Sequence, residues 1–559
     1  MGAGASAAKD VVALEPFRET GHQLLMRSHA AAGNTAESLL AYERCRARLA
    51  EELGVDPSRQ TKFEAAAAAN PRTPGLTDVP AVRLIPKSAL KRLRFRPGDI
   101  SWRQAPLDKP LHTRPTMPIT LRRRSTNALA FAATLQLFVS AVAVAQVTAI
   151  KAGRLVDPET GTVSTNQVIL VDKGKFTAIG ANVAIPAGAE VIDLSALTVL
   201  PGLVDAHNHL ALTYKEFPER NNYYITSMLD PTPLRAIQAV SNGIQMLAAG
   251  FTIVRDMGNN GNYADVALRQ AIEQGWIPGP TIIPSGLIIG GMGGQFSPTP
   301  EMARDHKIVY PEYLDADTPD EIVKAVRQNA LFGARVIKIC VDCKPWGYTT
   351  DEIRLVIREA AKAGLKVEGH VQTIDGGKRA VEAGIWSIAH DNGMTDELHK
   401  QMAIKGVWRA GTETPISLTG HTTQQRYDKT VAMLRNAWEN KTPLTFSTDA
   451  DYYVPGKTRG EVAIEFIETW KAAKIPNADI LRAMTISGYI VSETEKVRGP
   501  IKSGMFADLI AVAGNPIERI DALREVKFVM KNGMVFKRDG VMAPAAFFNG
   551  GPVNGWNVR

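Results

Sequence analysis

The sequence predicts an α/β protein whose central part is a (β/α)8 barrel. Between residues 200 and 500, short apolar runs alternate with segments of helical pattern, which is typical of a parallel sheet built from βαβ units. Polar residues able to bind metals stand at or near the ends of several of these runs. In a (β/α)8 barrel the functional groups lie at the C-terminal ends of the strands, so both observations favour this fold.

Helix boundaries in this region support the alternation. Thr318 to Glu321 form a capping box with proline at the first helical position, and Thr349 with Glu352 repeats the box. Gly364 then supplies the signal at which a helix ends. The helices between the apolar runs are therefore predicted from local chemistry as well as from spacing.

The run from Leu203 to Leu210 is an apolar strand that ends in the motif His207-x-His209. Side chains two residues apart on a strand share a face, so the two imidazoles point the same way. Neutral imidazole is the commonest metal-binding side chain. Taken alone, however, the motif fits a pair of core or surface histidines equally well.

Four further residues end strand-like runs downstream: Lys338, His370, His390 and Asp449. Because the C-terminal ends of parallel strands meet at one edge, we expect these side chains to lie near the His-x-His pair. Taken alone, Lys338 fits a strand-end lysine that reaches solvent. The six residues together indicate a single metal site.

With these six residues at the ends of its strand-like runs, the sequence resembles the amidohydrolase superfamily, in its imidazolonepropionase-like and prolidase-like branch. That branch includes bacterial dipeptidases, ochratoxin-type amidases and phenylurea-type hydrolases. The resemblance covers about residues 147–545 and extends to the runs 249–258, 275–280 and 504–510.

The resemblance implies a binuclear metal centre. His207 and His209 would bind one divalent ion, His370 and His390 a second, and Lys338 would bridge them as an N-carboxylated lysine. An unmodified ammonium would repel both cations and has no lone pair to donate. Zinc is the metal that the resemblance suggests.

Asp449, by the same resemblance, would complete the shell of the first metal and act as the catalytic proton shuttle. Two metals lower the pKa of a shared water and polarise the scissile carbonyl, which provides hydroxide near neutral pH. A carboxylate beside that water could carry its proton to the leaving group.

Three departures from the family pattern lie where a substrate pocket is expected. Met292 stands in the glycine-rich loop at a position where relatives commonly have histidine, and Gln372 stands where a second histidine would follow His370. His390 is followed by Asp391 and Asn392 before the glycine. The expected metal ligands are thus retained, whereas residues expected to contact the substrate differ from those of relatives. The sequence therefore does not identify the substrate.

Two further pairs of residues near these runs are expected to have structural rather than catalytic roles. Cys340 and Cys343 are interpreted as a buried apolar cysteine or a local disulfide rather than as metal ligands, because the expected ligands are already present. Arg255 and Asp256 end another strand-like run and are interpreted as a structural ion pair beneath the site.

The flanks of the barrel, residues 147–199 and 501–545, are rich in alternating valine and isoleucine and in glycine turns. By resemblance they pair as one small β-sandwich made from both ends of the enzyme. The metal-dependent barrel would then occupy residues 200–500.

The first 116 residues do not fit the hydrolase pattern. Residues 11–66 resemble part of a bacterial transcriptional activator domain and predict a helical extension, while residues 67–116 are proline-rich and basic, as in a linker. We expect residues 1–116 to lie outside the enzyme proper.

Residues 117–146 predict a secretory signal peptide. Met117 is followed by three arginines, an apolar stretch from Ala128 to Val142 and the small-x-small pattern Ala143 to Ala145. A membrane anchor is the alternative, but the stretch is short for a span and is broken by polar residues. The expectations are a start at Met117, a periplasmic or secreted location, and no stable membrane insertion after cleavage.

The charge distribution argues against nucleic-acid binding by the barrel, although the whole chain has a pI of about 9.2. Residues 1–145 carry 21 Lys and Arg against 12 Asp and Glu, whereas the remaining residues carry 44 against 45. The basic excess therefore belongs to the leader.

These observations predict an exported amidohydrolase that cleaves an amide or peptide bond of a small molecule, such as an N-acyl amino acid or a dipeptide. The same site could instead hydrolyse a lactone, carbamate, urea or phosphotriester. A hypothesis of another class is a regulatory fusion in which the barrel senses a ligand without turnover. The sequence leaves open whether the protein forms a homo-oligomer.

Overall fold

The structure is a computed structural model that describes most of the second half of the chain and about half of the first. The described residues are 22, 25, 26, 29, 35–53, 147–214, 226, 227, 229–258, 261–296, 312–390, 393–418 and 423–543. The chain divides into two compact units, Met1–Asn127 and Ala128–Arg559.

The first unit contains helix α1 (Thr35–Leu53). Leu25, Met26 and Ala41 form a small apolar cluster, and the Ser38 hydroxyl donates a hydrogen bond of 2.8 Å to the Met26 carbonyl. The rest of the predicted helical extension, the linker of residues 67–116 and the signal peptide of residues 117–146 lie outside the described residues and stay predictions.

The second unit holds the strands and the remaining helices. Its strands are β1 (Thr148–Asp157), β2 (Thr162–Asp172), β3 (Lys175–Gly180), β4 (Glu190–Pro201), β5 (Leu203–Asn208), β6 (Phe251–Asp256), β7 (Thr281–Pro284), β8 (Ile288–Gly290), β9 (Tyr313–Asp315), β10 (Ile337–Cys340), β11 (Val367–His370), β12 (Ser387–Ala389), β13 (Trp408–Ala410), β14 (Leu509–Val512), β15 (Val526–Lys531), β16 (Met534–Arg538) and β17 (Val541–Met542).

Its α-helices are α2 (Thr232–Ala248), α3 (Ala264–Glu273), α4 (Pro319–Phe332), α5 (Thr350–Lys362), α6 (Ile374–Ala383), α7 (Asp396–Lys405), α8 (Gln424–Glu439), α9 (Arg459–Glu465), α10 (Ile467–Ala472), α11 (Asn477–Arg482) and α12 (Gly488–Val491). A π-helical turn covers Ala483–Ser487, and short 3-10 turns cover Ile416–Leu418 and Ile520–Arg524. Among the described helices, none has both the length and the apolar character needed to cross a membrane.

The helix boundaries follow the predicted caps. Thr318 and Thr349 each accept a hydrogen bond from the backbone three residues on, and a glutamate completes both capping boxes. Thr458 forms a third capping box at the start of α9. Gly364 follows the end of α5 with a φ of 70°, the left-handed conformation that glycine adopts without strain.

The two flanks of the barrel form one eight-stranded sheet in the order β17-β16-β15-β14-β4-β1-β2-β3. The flanks meet where β4 pairs antiparallel with β14, with Thr198 opposite Val512 and Pro201 opposite Leu509. Edge strand β3 returns to the segment before β14, because Phe176 N donates to Met505 O at 3.0 Å. The sheet therefore curls around an apolar core built from both flanks.

The central region consists of two parallel sheets, one in the order β5-β6-β7 and one in the order β13-β12-β11-β10-β8-β9. Backbone hydrogen bonds connect β7 to the segment before β10, from Arg335 N to Pro284 O at 2.7 Å, and connect β5 to the run after β13, from Ala206 N to Phe446 O at 2.9 Å. The parallel α/β arrangement is thus confirmed, whereas the described ladders do not close into one eight-stranded barrel, which stays a prediction.

The run Leu444 to Asp449 corrects one expectation. It was predicted as a strand, yet its described ladder contacts amount to a single parallel bridge between Leu444 and Arg409. Asp449 has a φ of 54°, so the backbone turns out of the extended conformation at the predicted ligand. The run still delivers Asp449 to the edge of the sheets, because Asp449 N donates to His207 O at 2.7 Å.

Gly488 sets the distance between helix α12 and strand β5, and its substitution tests that contact. A Cβ added at Gly488 would lie 2.4 Å from the Val204 Cβ. We expect Gly488→Ala to destabilise the protein by about 1–3 kcal/mol, because β5 must move. Gly243→Ala in α2 is the matched control, since its nearest neighbour would lie 3.7 Å away. Thermal unfolding of both variants gives the comparison, and equal stabilities would contradict the expected overlap.

Candidate metal centre

The six residues predicted as ligands line one cavity of about 380 Å³ at the C-terminal edge of the parallel strands. They are His207, His209, Lys338, His370, His390 and Asp449. The strands β5, β10, β11 and β12 carry or immediately precede five of them, which is why residues far apart in the sequence converge. The structure brings the whole predicted set together, and their metal-binding roles stay predictions.

Asp449 lies at the centre of three imidazoles. Its Oδ1 atom is 2.8 Å from His209 Nε2 and 3.5 Å from His207 Nε2, and its Oδ2 atom is 3.6 Å from His390 Nδ1. One ligand atom each from His207, His390 and Asp449 lie within 4.8 Å of one another, which is close enough to share an ion. A carboxylate among neutral imidazoles is a donor set suited to a divalent transition metal.

The histidines are oriented by their second ring nitrogens. His209 Nδ1 lies 2.8 Å from the Gly258 carbonyl, so that nitrogen carries a hydrogen and Nε2, which lies 2.8 Å from Asp449 Oδ1, is the nitrogen available to a metal in place of its proton. His390 Nδ1 lies 3.0 Å from the Thr412 hydroxyl. Both ring nitrogens of His207 are buried without a hydrogen bond of good geometry among the described residues, but Nδ1 lies 2.8 Å from Glu368 Oε1, which leaves Nε2 as the nitrogen suited to a metal.

The backbone at two of these residues is strained. His390 has a φ of 71° and Asp449 a φ of 54°, in the left-handed region that residues other than glycine seldom occupy. Such conformations cost about 1–3 kcal/mol and concentrate at functional sites. They turn both side chains into the cavity.

Two glutamine side chains lie beside His370, and one of them, Gln372, is a departure from the family pattern. The side-chain amide of Gln372 lies 3.0 Å from His370 Nε2, and that of Gln295 lies 3.3 Å from the same ring. The rings of His370 and His390 are 4.4 Å apart. Gln372 therefore lines the site where a second histidine was expected from the family pattern.

The other two departures contribute less to the cavity. Met292 is half exposed, and its backbone N donates 3.1 Å hydrogen bonds to the carboxylate of Asp317. It is absent from the described lining of the cavity. Asp391 and Asn392 lie outside the described residues.

Glu368 is a fully buried carboxylate in the site that the sequence analysis missed. Its oxygens lie 2.8 Å from His207 Nδ1, 3.3 Å from Lys338 Nζ and 2.8 Å from an Arg255 guanidinium nitrogen. The spacing held a signal, since Glu368 precedes His370 by two residues on one strand and so shares its face. The pairing also corrects the expected ion pair of Arg255, whose observed carboxylate partner is Glu368 rather than Asp256.

Burial keeps three of the histidines neutral. It lowers the pKa of His207 to about 3 and that of His390 to about 4, and it holds the pKa of His370 well below its usual value. Neutral imidazole is the form that binds a metal. In His209 burial also acts to lower the pKa, but the hydrogen bond and charge of Asp449 outweigh it and raise the pKa to about 9. This position therefore attracts positive charge, which a metal ion can supply instead of a proton.

Burial and nearby charges also shift the pKa values of Asp449 and Lys338. Burial acts to raise the pKa of Asp449, but His390 and His209 outweigh it and hold the pKa far below its usual range, so the group is a carboxylate. Burial lowers the pKa of the Lys338 amine, even though Glu368 opposes that shift. A larger share of Lys338 is then the neutral amine, which is the form that reacts with carbon dioxide.

A second aspartate, Asp451, also lines the cavity and was not predicted. Burial and the nearby charge of Asp449 raise its pKa to about 7. The chain places it two residues after Asp449. When ionised, it adds negative charge near His209 and acts to raise the pKa of that imidazole.

Cys340 and Cys343 form a disulfide, with their Cα atoms 5.7 Å apart. This agrees with one of the two structural interpretations from the sequence. Between them, Asp342 accepts hydrogen bonds from Gln372 N at 3.0 Å and Thr373 N at 2.7 Å. The disulfide loop thus holds the segment that follows His370.

Comparisons with known proteins agree with this geometry. A model of the amidohydrolase family matches residues 198–536, and a model of the bacterial transcriptional activator domain matches residues 3–66. Ochratoxinase from Aspergillus niger is 26% identical over 440 residues, which cover 71% of this chain and 88% of that protein. Imidazolonepropionase from Alkaliphilus metalliredigens (strain QYMF) is 27% identical over 409 residues, which cover 65% of this chain and 89% of the other.

Solved structures show the same likeness. A Xaa-Pro dipeptidase crystallised with methionine in its active site has a TM-score of 0.61 and 28% identity, and the match covers 70% of this chain and 100% of that one. A prolidase in complex with N-methylphosphonate-L-proline has a TM-score of 0.60 and 25% identity, with coverage of 70% and 100%. These matches confirm the resemblance inferred from the sequence.

Proposed function

Because this chain belongs to the amidohydrolase family and is a hydrolase of carbon–nitrogen bonds, we propose that it cleaves an amide or peptide bond of a small molecule. The substrate is an N-acyl amino acid or a dipeptide-like compound. The observation that carries the proposal is the convergence of all six predicted ligands on one cavity of about 380 Å³. A cavity of this size accommodates a small molecule rather than a folded protein.

The donor set suits two divalent ions, for which zinc is the proposed metal. His207 and His209 would hold one ion, His370 and His390 the other, and carboxylated Lys338 would bridge them. The ions would lower the pKa of a water and polarise the substrate carbonyl. The neutral state of His207, His370 and His390 supports these roles, because metal ligands must be deprotonated.

Asp449 is the proposed proton shuttle. An amine leaves poorly until its nitrogen is protonated, so one base that removes the water proton and returns it to nitrogen serves both steps. Asp449 is held as a carboxylate and lines the cavity, where it lies 2.8 Å from His209. Its position among the ligands supports contact with both the attacking water and the leaving group.

Arg426 supports a substrate that carries a free carboxylate. It lies in the first turn of α8 and lines the cavity beside Tyr427. Among the described residues, no carboxylate is found in an ion pair with Arg426. The other arginine of the lining, Arg409, is buried against Glu413. A guanidinium at the mouth of the cavity fits the carboxylate of an amino-acid leaving group.

The experiment compares N-acyl amino acids and dipeptides with their C-terminal amides, using purified zinc-loaded enzyme. We expect turnover of the acids, and we expect Arg426→Met to raise KM for them about tenfold while KM for the amides changes little. Lys429→Met is the matched control, because Lys429 lies on the same helix but outside the described lining.

The same panel includes a lactone, a carbamate, a urea and a phosphotriester. Faster hydrolysis of one of these would replace the amide proposal, because such bonds break at the same kind of metal centre. Binding without turnover of any compound would instead favour the regulatory fusion. If Arg426→Met changed KM equally for acids and amides, Arg426 would not bind a substrate carboxylate, and that part of the proposal would be wrong.

A further inference from the structure

We propose that Glu368 is a positioning residue that ties two ligands of the metal centre, His207 and Lys338, to the interior of the parallel sheets. It is fully buried on β11, one layer below His370. A carboxylate in such a place is costly unless each oxygen has partners. Both oxygens of Glu368 have them, and the partners divide into two kinds.

The Oε1 atom faces the metal ligands. It lies 2.8 Å from His207 Nδ1 and 3.3 Å from Lys338 Nζ. An acceptor at Nδ1 keeps the hydrogen of the imidazole on that nitrogen, so Nε2 carries the lone pair. His207 Nε2 is the atom that lies near Asp449, 3.5 Å from its Oδ1 atom. Glu368 thereby selects the tautomer and the ring orientation that a metal requires.

The Oε2 atom faces the scaffold. It lies 2.8 Å from an Arg255 guanidinium nitrogen and accepts a hydrogen bond of 2.7 Å from the Ser387 hydroxyl. Arg255 also donates to the Ala206 carbonyl, directly before His207. The carboxylate therefore connects strands β5, β6, β10, β11 and β12 at one point.

The strand register explains why these partners meet. Glu368 stands opposite Lys338 in the β10–β11 ladder and opposite Ser387 in the β11–β12 ladder. Side chains in register on parallel strands lie side by side on the same face. A shift of β11 by one residue would move Glu368 to the other face and remove all four contacts.

The role toward Lys338 rests on the carboxylation given under the proposed function. In that reaction the amine nitrogen forms a bond to the carbon of carbon dioxide, one C=O electron pair moves to oxygen, and one proton leaves the nitrogen for solvent. The product keeps one N–H. Glu368 Oε1 accepts that hydrogen and so fixes the plane of the bridging carboxylate, whereas its contact with His207 does not depend on carboxylation.

The test replaces the carboxylate by an amide of the same shape. Glutamine has one acceptor oxygen, so in Glu368→Gln the NH₂ group must face either His207 and Lys338 or Arg255, all of which are donors. We expect zinc to bind about 10–100-fold more weakly, as is usual when a group that orients a metal ligand is lost. Zinc content and zinc affinity are measured by competition with a chromophoric chelator in the absence of substrate.

A second variant separates positioning from general damage. In Glu368→Gln/Arg255→Met the donor behind Oε2 is absent, so the NH₂ group can turn away and the amide oxygen can accept from His207. We expect this double variant to recover zinc affinity to within a few-fold of wild type. Ser387→Ala is the control, because it removes one scaffold contact and leaves Oε1 unchanged.

The outcomes are distinct. Wild-type zinc affinity in folded Glu368→Gln would overturn the proposal, as would a double variant that folds and binds zinc no better than the single one. If Glu368→Gln does not fold, the double variant carries the test alone, with the same expected recovery. Because no substrate is used, failure of the amide panel leaves this result unaffected.

Discussion

Asp449→Asn is expected to fold, to retain most of its zinc and to lose turnover by about 10² or more. Asparagine has the same size and keeps one oxygen that can face His209, where Asp449 Oδ1 lies at 2.8 Å. An amide cannot take a proton from water and return it to the leaving nitrogen. The loss should therefore fall on the chemical step, with kcat lowered far more than KM changes.

The decisive measurement pairs zinc content with turnover on each purified variant. His207→Ala and His390→Ala are the comparison, because each removes an imidazole from the site and should lose zinc together with rate. An Asp449→Asn enzyme within a few-fold of wild type would mean that the proton moves through another group. Asp451, two residues further on in the same cavity, would then be the next residue to replace.

Lys338→Ala is expected to lose both zinc and activity. The substitution removes the proposed bridge, and it also removes the lysine nitrogen that lies 3.3 Å from Glu368 Oε1. Acetate or propionate should restore part of the zinc content and part of the turnover, because a free carboxylate can occupy the bridging position. Lys366→Ala is the control, since Lys366 directly precedes the neighbouring strand β11 but lies beside Trp386 outside the described cavity lining.

Full zinc content and activity in Lys338→Ala would show that another group bridges the metals. Loss of zinc without any rescue by carboxylates would leave Lys338 as a structural partner of Glu368. Comparison with Glu368→Gln separates these cases, because that variant keeps the lysine and alters its neighbour.

The sequence predicted that the six candidate ligands share one cavity, because those residues have strong chemical identities and most of them stand at strand ends. It also predicted the helix starts at Thr318 and Thr349, since a capping box depends on residues three positions apart. Such features are local. They can be recognised without knowledge of the tertiary structure.

The missed features depend on contacts between distant segments. The four partners of Glu368 come from four other strands, so its role follows from register rather than from neighbours in sequence. The left-handed backbone at His390 and Asp449 likewise depends on the surrounding structure, because this conformation is uncommon for residues other than glycine, even though Asp and His adopt it more often than most. Arg255 was assigned to Asp256 on adjacency alone, whereas adjacent strand residues point to opposite faces.

The pairing of β4 with β14 delays completion of this sheet during synthesis of the chain. Thr198 is synthesised long before its partner Val512, and the whole metal-binding region emerges between them. During that interval β4 exposes an open edge, which is the kind of surface that recruits other chains or chaperones. The first flank can therefore complete its pairing only after Leu509–Val512 have left the ribosome. A nascent chain arrested before Leu509 would carry all six candidate metal ligands on a domain that is still unclosed.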